Sequence, residues 1–277
     1  MNIFMRFPNG KAKALTLSYD DGVIQDKKLI EILKPYGIKA TFNINSGQIA
    51  DKDATSRGKM SLNQIIETYS NTEHEIAVHG LTHPFLEKLP LPLALNDIIE
   101  DRRNLEKIFG RIIRGMAYPY GTYSEKLIEE LKSIGIVYSR TTISTQDFRL
   151  PSEWLKLTAT CHHNNPNLLD LIEKFLKASP ESERKNRDSL LFYLWGHTYE
   201  FDNNNNWDVI KQFASTIGNN DNIWYATNIE IYDYIKAFDS LIFSTSGNLV
   251  LNPSNLMVWF EKNGSIISVS PGQEKQI

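Results

Sequence analysis

The sequence predicts an α/β protein whose parallel strands and helical crossovers close, or nearly close, into a β/α barrel. Three observations carry this. Short β-rich runs alternate with amphipathic helical runs from Ala12 to Phe238, the pattern of parallel strands joined through helices. No Gly-rich dinucleotide fingerprint appears in that alternation, which favours a barrel over an open nucleotide-binding sheet. Beyond Ser240 the helical runs stop, and short β runs separated by Ser-Gly-Asn, Asn-Pro and Asn-Gly predict a small antiparallel appendage. The domain boundaries read from this change are 1–240 for the barrel and 241–277 for the appendage.

Each element has its own signal. Ala12–Ser18 alternates like a strand and ends at Tyr19-Asp20-Asp21-Gly22. Gln25–Lys34 places Leu29, Ile30, Ile32 and Leu33 at helical spacing and stops at Pro35-Tyr36-Gly37. Lys39–Asn45 is strand-like, and Ser61–Tyr69 is a helix opening on a Ser cap. Glu75–His79 is a short strand. Leu93–Phe109 is a long amphipathic helix stopped by Gly110, and Gly115–Tyr118 is a strand running into Pro119-Tyr120-Gly121. Ser124–Ile134 is helical, Ile136–Thr141 and Leu155–Thr160 are strands, and Asn167–Lys177 is helical. Leu190–Trp195 is a strongly apolar strand, followed by helices at Trp207–Thr216 and Asn228–Phe238. The appendage strands are Ser240–Ser244, Asn248–Leu251, Met257–Glu261 and Ile266–Val269. Asn203–Asn206 reads as a surface loop.

Composition narrows the function classes. The 277 residues are 41% hydrophobic and 23% charged, which excludes disorder, collagen-like repetition and coiled coil as descriptions of the whole chain. With 30 Lys+Arg against 33 Asp+Glu, the net charge of −3 provides no global basic surface, so no nucleic-acid partner is expected. No apolar run reaches the length of a membrane span, so no membrane partner is expected either. Cys161 is the only cysteine, which forbids an intrachain disulfide and fits a reducing compartment. The N-terminal segment MNIFMRFPNGKAK lacks the apolar core and cleavage site of a signal peptide. The expectation is therefore a cytoplasmic protein. No motif specifies an oligomeric state.

In parallel β/α folds the chemistry gathers at the carboxyl ends of the strands. Here those ends are loaded with Asp20-Asp21, His79-Gly80-Leu81-Thr82-His83, Tyr118-Pro119-Tyr120-Gly121 and Trp195-Gly196-His197. Asp20 and Asp21 form either an ordinary turn or a pair pointing different ways, one to a metal and one to a substrate. Their mutual repulsion calls for a nearby cation. His79 and His83 are four apart, the spacing that puts two imidazoles on one face of a helical turn. With one carboxylate they make a three-ligand metal site with open positions, although each alone also reads as a turn residue. His74 falls outside this spacing and reads as a surface histidine. His197 is either a structural strand-end residue or a general acid, since its ordinary pKa lies near neutrality. Cys161-His162-His163 is either a pocket wall, with His163 lining the substrate site, or a polar loop. Glu200 reads as a substrate contact or, preferably, a solvated loop residue.

At these residues the chain resembles the NodB-homology polysaccharide deacetylases, a family of metal-dependent carbohydrate esterases. Thr16-Leu17-Ser18-Tyr19-Asp20-Asp21-Gly22 is similar to the family's TFDDG-like first motif, with Tyr19 for the usual Phe. His79-Gly80-Leu81-Thr82-His83 matches its second. Arg114 with Tyr118-Pro119-Tyr120-Gly121 resembles its third, and Leu194-Trp195-Gly196-His197 its last. Thr41-Phe42 stands where such enzymes begin their second strand. Asp147-Phe148 is the nearest match to the family's Asp-aromatic pair, whose Asp partners the Arg.

The resemblance implies a distorted (β/α)7 barrel with the small C-terminal antiparallel β appendage. It implies Asp21, His79 and His83 as metal ligands, with zinc the first choice and cobalt, nickel, manganese or iron compatible with the same set. It implies Asp20 as general base, Arg114 as its orienting charge and His197 as general acid. The Tyr120 N–H would help hold the oxyanion. Trp195 would wall the acyl pocket or simply pack in the core. The implied reaction removes an acyl group, first of all N-acetyl, from a carbohydrate by attack of a metal-bound water. Alternatives are a hydrolase of a small N-acyl, formyl or cyclic amide compound, and a catalytically silent carbohydrate-binding protein. A non-haem iron oxygenase shares the ligand set, but a separate base and acid suit hydrolysis better.

Overall fold

The computed structural model describes residues 2–180 and 188–277. The chain opens with β1 (Ile3–Arg6) and then enters the barrel with β2 (Lys13–Asp20) and α1 (Asp26–Leu33). There follow β3 (Thr41–Ile44), α2 (Leu62–Tyr69), β4 (Glu75–Val78), α3 (Leu91–Phe109), β5 (Gly115–Ala117) and α4 (Glu125–Leu131). The second half holds β6 (Tyr138–Ser144), β7 (Leu157–Ala159), β8 (Cys161–His162), α5 (Leu168–Lys177) and β9 (Leu190–Gly196). After α6 (Tyr199–Asn203) and α7 (Trp207–Ile217) come β10 (Ile223–Tyr225) and α8 (Asn228–Asp239). The expected Ser cap of α2 is a full capping box, Ser61 with Gln64.

The strands pair in parallel in the order β7-β6-β5-β4-β3-β2-β9-β8. Only Thr160 separates β7 from β8, and its N–H donates to the Tyr193 carbonyl (2.9 Å). Leu157–His162 is thus one extended run that leaves β6 and joins β9, closing the ring. The pairing of β6 with β7 shifts register between Arg140 and Ser144, which is where the barrel is distorted. On the other edge of β2, β10 takes the first half of the strand and β3 the second.

Residues of alternate parity face opposite ways. On β2, Leu15, Leu17 and Tyr19 join the apolar cluster that also holds Leu29, Leu33, Ile210 and Phe213 of the surrounding helices. Thr16, Ser18 and Asp20 face inward and are buried. The barrel interior is accordingly polar, and some of its hydrogen bonds run between strands that are not neighbours. Tyr138 Oη on β6 donates to Glu75 Oε1 on β4 (2.7 Å), passing over β5. A Cβ at Gly115 would lie 2.2 Å from that phenol oxygen, so the glycine makes the crossing feasible. The base of the barrel is plugged by the start of α8. Ile229 N donates to Glu75 Oε2 (2.9 Å), Asn228 N to Thr41 Oγ1 (3.1 Å), and Asn228 Nδ2 to Tyr193 Oη (2.7 Å).

The remaining strands are β11 (Ile242–Phe243), β12 (Leu249–Leu251), β13 (Val258–Lys262), β14 (Ser265–Val269) and β15 (Glu274–Gln276). They form two antiparallel sheets, β1-β13-β14 and β11-β12-β15, around Val250, Phe260 and Val269. The N-terminal strand β1, read with the barrel from sequence, therefore pairs with the appendage, and a buried Arg6–Glu261 pair (2.6 Å) joins them. Tyr234 of α8 ties both to the barrel, donating to the Arg6 carbonyl (2.5 Å) and accepting from Trp259 N (2.9 Å).

Candidate active site

The inward side chain at the end of β2 is Asp20. Its Oδ1 accepts from Asn43 Nδ2 of β3 (2.8 Å), and its Oδ2 accepts from the Arg140 guanidinium of β6. Two imidazoles flank the same oxygen, with His79 Nε2 and His197 Nε2 each 3.8 Å from Oδ2. Burial alone would push the Asp20 carboxyl up, but Arg140, His79 and His197 outweigh it and hold it well below the usual carboxylate range.

The next residue, Asp21, turns away with φ +85°, so the two carboxylates point to different places. The Lys59 ammonium donates to the Asp21 carbonyl (2.7 Å), to its Oδ1 (3.0 Å) and to Asn45 Oδ1 (3.1 Å). Burial opposes the Asp21 charge; His79 and Lys59 more than offset it and lower its pKa.

His79 to His83 is a loop and not the helical turn that the spacing of four suggests. Gly80 (φ +74°) and His83 (φ +58°) take left-handed conformations. Buried and half-buried acceptors and donors fix the loop. Asp101 takes His79 N (3.0 Å) and Ser46 N (2.7 Å), and Asp97 takes Leu81 N (2.7 Å). Asn45 Nδ2 donates to the carbonyls of His79 (2.6 Å) and Gly80 (2.8 Å). The two rings end up 4.8 Å apart, centroid to centroid.

The side chains of Asp21, His79 and His83 each offer one ligand atom, and these lie within 4.8 Å of one another. The donor set fits a divalent cation. His79 Nδ1 lies 2.8 Å from the Ala117 carbonyl, so it carries the ring proton and leaves the Nε2 lone pair facing the cluster. Burial lowers the His79 pKa to about 4 and that of His83 to a lesser extent, which keeps both imidazoles available as neutral ligands.

Tyr120 stands at the rim on its left-handed turn (φ +59°), half exposed, its ring 4.5 Å from His83 and stacked on Phe85 at 3.8 Å. Trp195 is buried at the inner wall, with the Arg140 guanidinium over its face (4.5 Å) and the edge of His162 against it (4.5 Å). Its indole N–H has no partner among the described residues. His197 has its Nδ1 3.2 Å from Glu200 Oε1. Burial disfavours the imidazolium there, but Glu200 and Asp20 overcome it and raise the His197 pKa above the ordinary value.

Several sequence expectations move. Arg114 is not in the site. It precedes β5 at the opposite end of the barrel and makes a two-pronged pair with Asp233 of α8 (3.0 and 2.6 Å). The guanidinium on Asp20 is that of Arg140, an inward strand residue. Its signal in the sequence is a lone charge inside an otherwise strand-like run. Asp147 binds Arg149 on the surface, and Phe148 packs on Phe175 and Phe192, so this pair takes no part in the site. His163 does not line a pocket. It is buried between Phe201 (4.1 Å) and Tyr19 (5.7 Å) and turns Nε2 to Glu200. His74 is buried, not exposed, and accepts from Ala40 N at Nδ1 (3.1 Å). Glu200 lies on α6 and faces His162, His163 and His197 instead of open solvent.

Residues 8–139 match the family model described as "Polysaccharide deacetylase". Just under half of the chain is thus similar to the polysaccharide deacetylase family. The matched segment runs from the entry of β2 through the Asp, His and Pro-Tyr-Gly motifs into β6. One curated relative, a peptidoglycan-N-acetylglucosamine deacetylase of Bacillus cereus, is 26% identical over 144 residues, covering 51% of this chain and 48% of the relative. The chain thus spans about half the length of the curated relative it matches. Two solved structures share the fold over most of the chain. A Mycobacterium smegmatis protein assigned to the polysaccharide deacetylases aligns with TM-score 0.62 at 17% identity, covering 84% of this chain and 93% of its own. The Xyl-CE4 domain of a multidomain xylanase from the hindgut metagenome of Trinervitermes trinervoides aligns with TM-score 0.54 at 15% identity, covering 81% and 92%. At these identities the likeness establishes the barrel fold alone. No helix among the described residues is long and apolar enough to cross a membrane.

Proposed function

We propose that the protein is a metal-dependent hydrolase that removes an N-acetyl group from a carbohydrate. The observation that carries this is the Asp20 carboxylate, paired with Arg140 and flanked at 3.8 Å by two imidazoles of opposite character. One, His79, is held neutral beside Asp21 and His83; the other, His197, is biased towards its charged form. His197 as acid and Asp20 as base thus stand side by side next to the His79 cluster, the arrangement that hydrolysis needs.

Asp21, His79 and His83 would hold the ion, with zinc favoured by two imidazoles and one carboxylate. A bound divalent ion supplies a Lewis acid that polarises the acyl oxygen and makes water acidic enough to attack. Asp20 takes the proton of the attacking water. Arg140 and Asn43 keep it ionised and aimed. The Tyr120 N–H would help hold the developing oxyanion. His197 gives its proton to the departing amine. The exposed Tyr120–Phe85 stack at the rim offers a flat aromatic surface suited to the apolar face of a sugar ring.

The test is acetate release from N-acetylglucosamine oligomers, acetylated xylan and a sugar nucleotide, with metal content determined on the same sample. Release abolished by a chelator and restored by zinc supports the proposal; a fully loaded protein inert on all of them overturns it. Asp20→Asn should retain the metal and lose about 10²–10⁴-fold in rate.

A further inference from the structure

Glu200 is the meeting point of three imidazoles. Its Oε2 lies 3.1 Å from His162 Nε2 and 2.9 Å from His163 Nε2, and its Oε1 lies 3.2 Å from His197 Nδ1. Asn164 Nδ2 adds a donor to Oε2 (3.3 Å). His162, His163 and Glu200 are also spaced as a cation site would be. A hydrogen bond decides against that use. The Asn164 N–H donates to His162 Nδ1 (3.1 Å), so Nδ1 holds the lone pair and Nε2 holds the proton. A protonated Nε2 donates to a carboxylate and cannot bind a metal.

The rest of the cluster is built to hold the carboxylate still. His163 is fully buried between Tyr19 and Phe201, and its Nδ1 occupies the space over Gly196, where a Cβ would come within 2.1 Å. Gly196 is the residue next to His197, so the strand end that carries His197 is shaped to admit His163. Two imidazole edges from β8 and the following turn thus stand within 3.1 Å of one oxygen of Glu200, and the other oxygen is presented to His197.

We propose that Glu200, clamped by His162 and His163, is a positioning residue that fixes the ring orientation and tautomer of His197. This rests on the reading of His197 as general acid. With the ring proton held on Nδ1, 3.2 Å from Glu200 Oε1, Nε2 is the nitrogen turned to Asp20 and to the reacting atoms. The other ionisable groups around His197 are Asp20 at 3.8 Å from Nε2, the charge of Asp21, the Tyr199 phenol, whose ring centroid is 5.2 Å away, and Arg140 across the Trp195 face. Of these groups and the two histidines, only Glu200 stands at Nδ1.

The experiment is nitrogen-15 NMR of the histidine rings in the full chain loaded with zinc, for the unaltered protein, Glu200→Gln and Glu200→Asp, with kcat and KM measured on the same samples. The unaltered protein should show His197 protonated at Nδ1 near neutral pH. Glu200→Gln, which keeps the shape and removes the charge, should mix the two neutral tautomers and lower the His197 titration midpoint. It should also cut kcat by about 10–10²-fold with little change in KM. Glu200→Asp should keep the Nδ1–H tautomer and recover part of kcat. An unchanged His197 spectrum in Glu200→Gln overturns the proposal. So does a second metal ion per chain that Glu200→Gln removes. If no substrate is turned over, the general-acid reading fails, and the spectra still decide whether Glu200 sets the His197 tautomer.

Discussion

Arg140 reaches through the barrel from β6 to hydrogen-bond the Asp20 carboxylate at the end of β2, and both side chains are buried. Removing one member of such a pair strands the other charge in a low-dielectric interior, which costs about 3–5 kcal/mol. Removing both does not. Arg140→Met should therefore destabilise the fold by that amount, and Asp20→Asn with Arg140→Met should recover most of it. Urea denaturation of the two single variants and the double variant reads the coupling. Purely additive losses would show that the pair is not coupled.

Arg114 lies at the far end of the barrel on Asp233, and both side chains are about one-third exposed. A pair so exposed is worth about 1 kcal/mol or less. Arg114→Ala should lower thermal stability slightly and leave kcat/KM within about twofold, since a charge this distant is well screened. A drop on the order of 10²-fold in rate would return Arg114 to the site.

His79 presents Nε2 to the proposed cation site because Nδ1 is committed to the Ala117 carbonyl. His79→Ala and His83→Ala should each lose zinc on dialysis, along with activity, because two remaining ligands hold the ion poorly. Elemental analysis of the dialysed variants is the readout. A full equivalent of zinc retained in either variant would remove that residue from the ligand set.

Glu75, at the plugged base, sits far from this chemistry and gives a clean pH signature. Burial raises its pKa to about 7, and the hydrogen bonds from Ile229, Tyr138 and Thr41 only partly counter it. Between the ordinary value and about 7 the folded protein binds a proton that the unfolded chain does not. Stability from this group is thus full at lower pH and falls as pH rises through about 7, by ~3 kcal/mol at most. Glu75→Gln should flatten the fall in midpoint denaturant concentration between pH 5 and 8, read in about unit steps. A steeper fall in the variant would contradict the sign.

The strand–helix alternation, the appendage and the four loaded strand ends are local features, and the sequence by itself determined them. A strand's two-residue period and a helix's spacing are written in adjacent residues. So is the attraction of catalytic groups to strand carboxyl ends. That is why Asp20, Asp21, His79, His83 and His197 were legible as a group, together with Tyr120 on its turn. Their partners were not. Arg140, Asn43 and Glu75 are visible in the sequence only as polar residues at inward strand positions, and parity says that such a residue faces the interior without saying what stands opposite. The ring closes only where Leu157–His162 leaves β6 for β9, and this closure sets which side chains meet across the barrel. It brought Arg140, not Arg114, to Asp20, and it set His162 and His163 against Glu200. Tertiary structure decided these contacts because each joins strands or loops far apart in the chain, and charge pairing in a buried interior depends on distances of a few ångströms that no local spacing encodes.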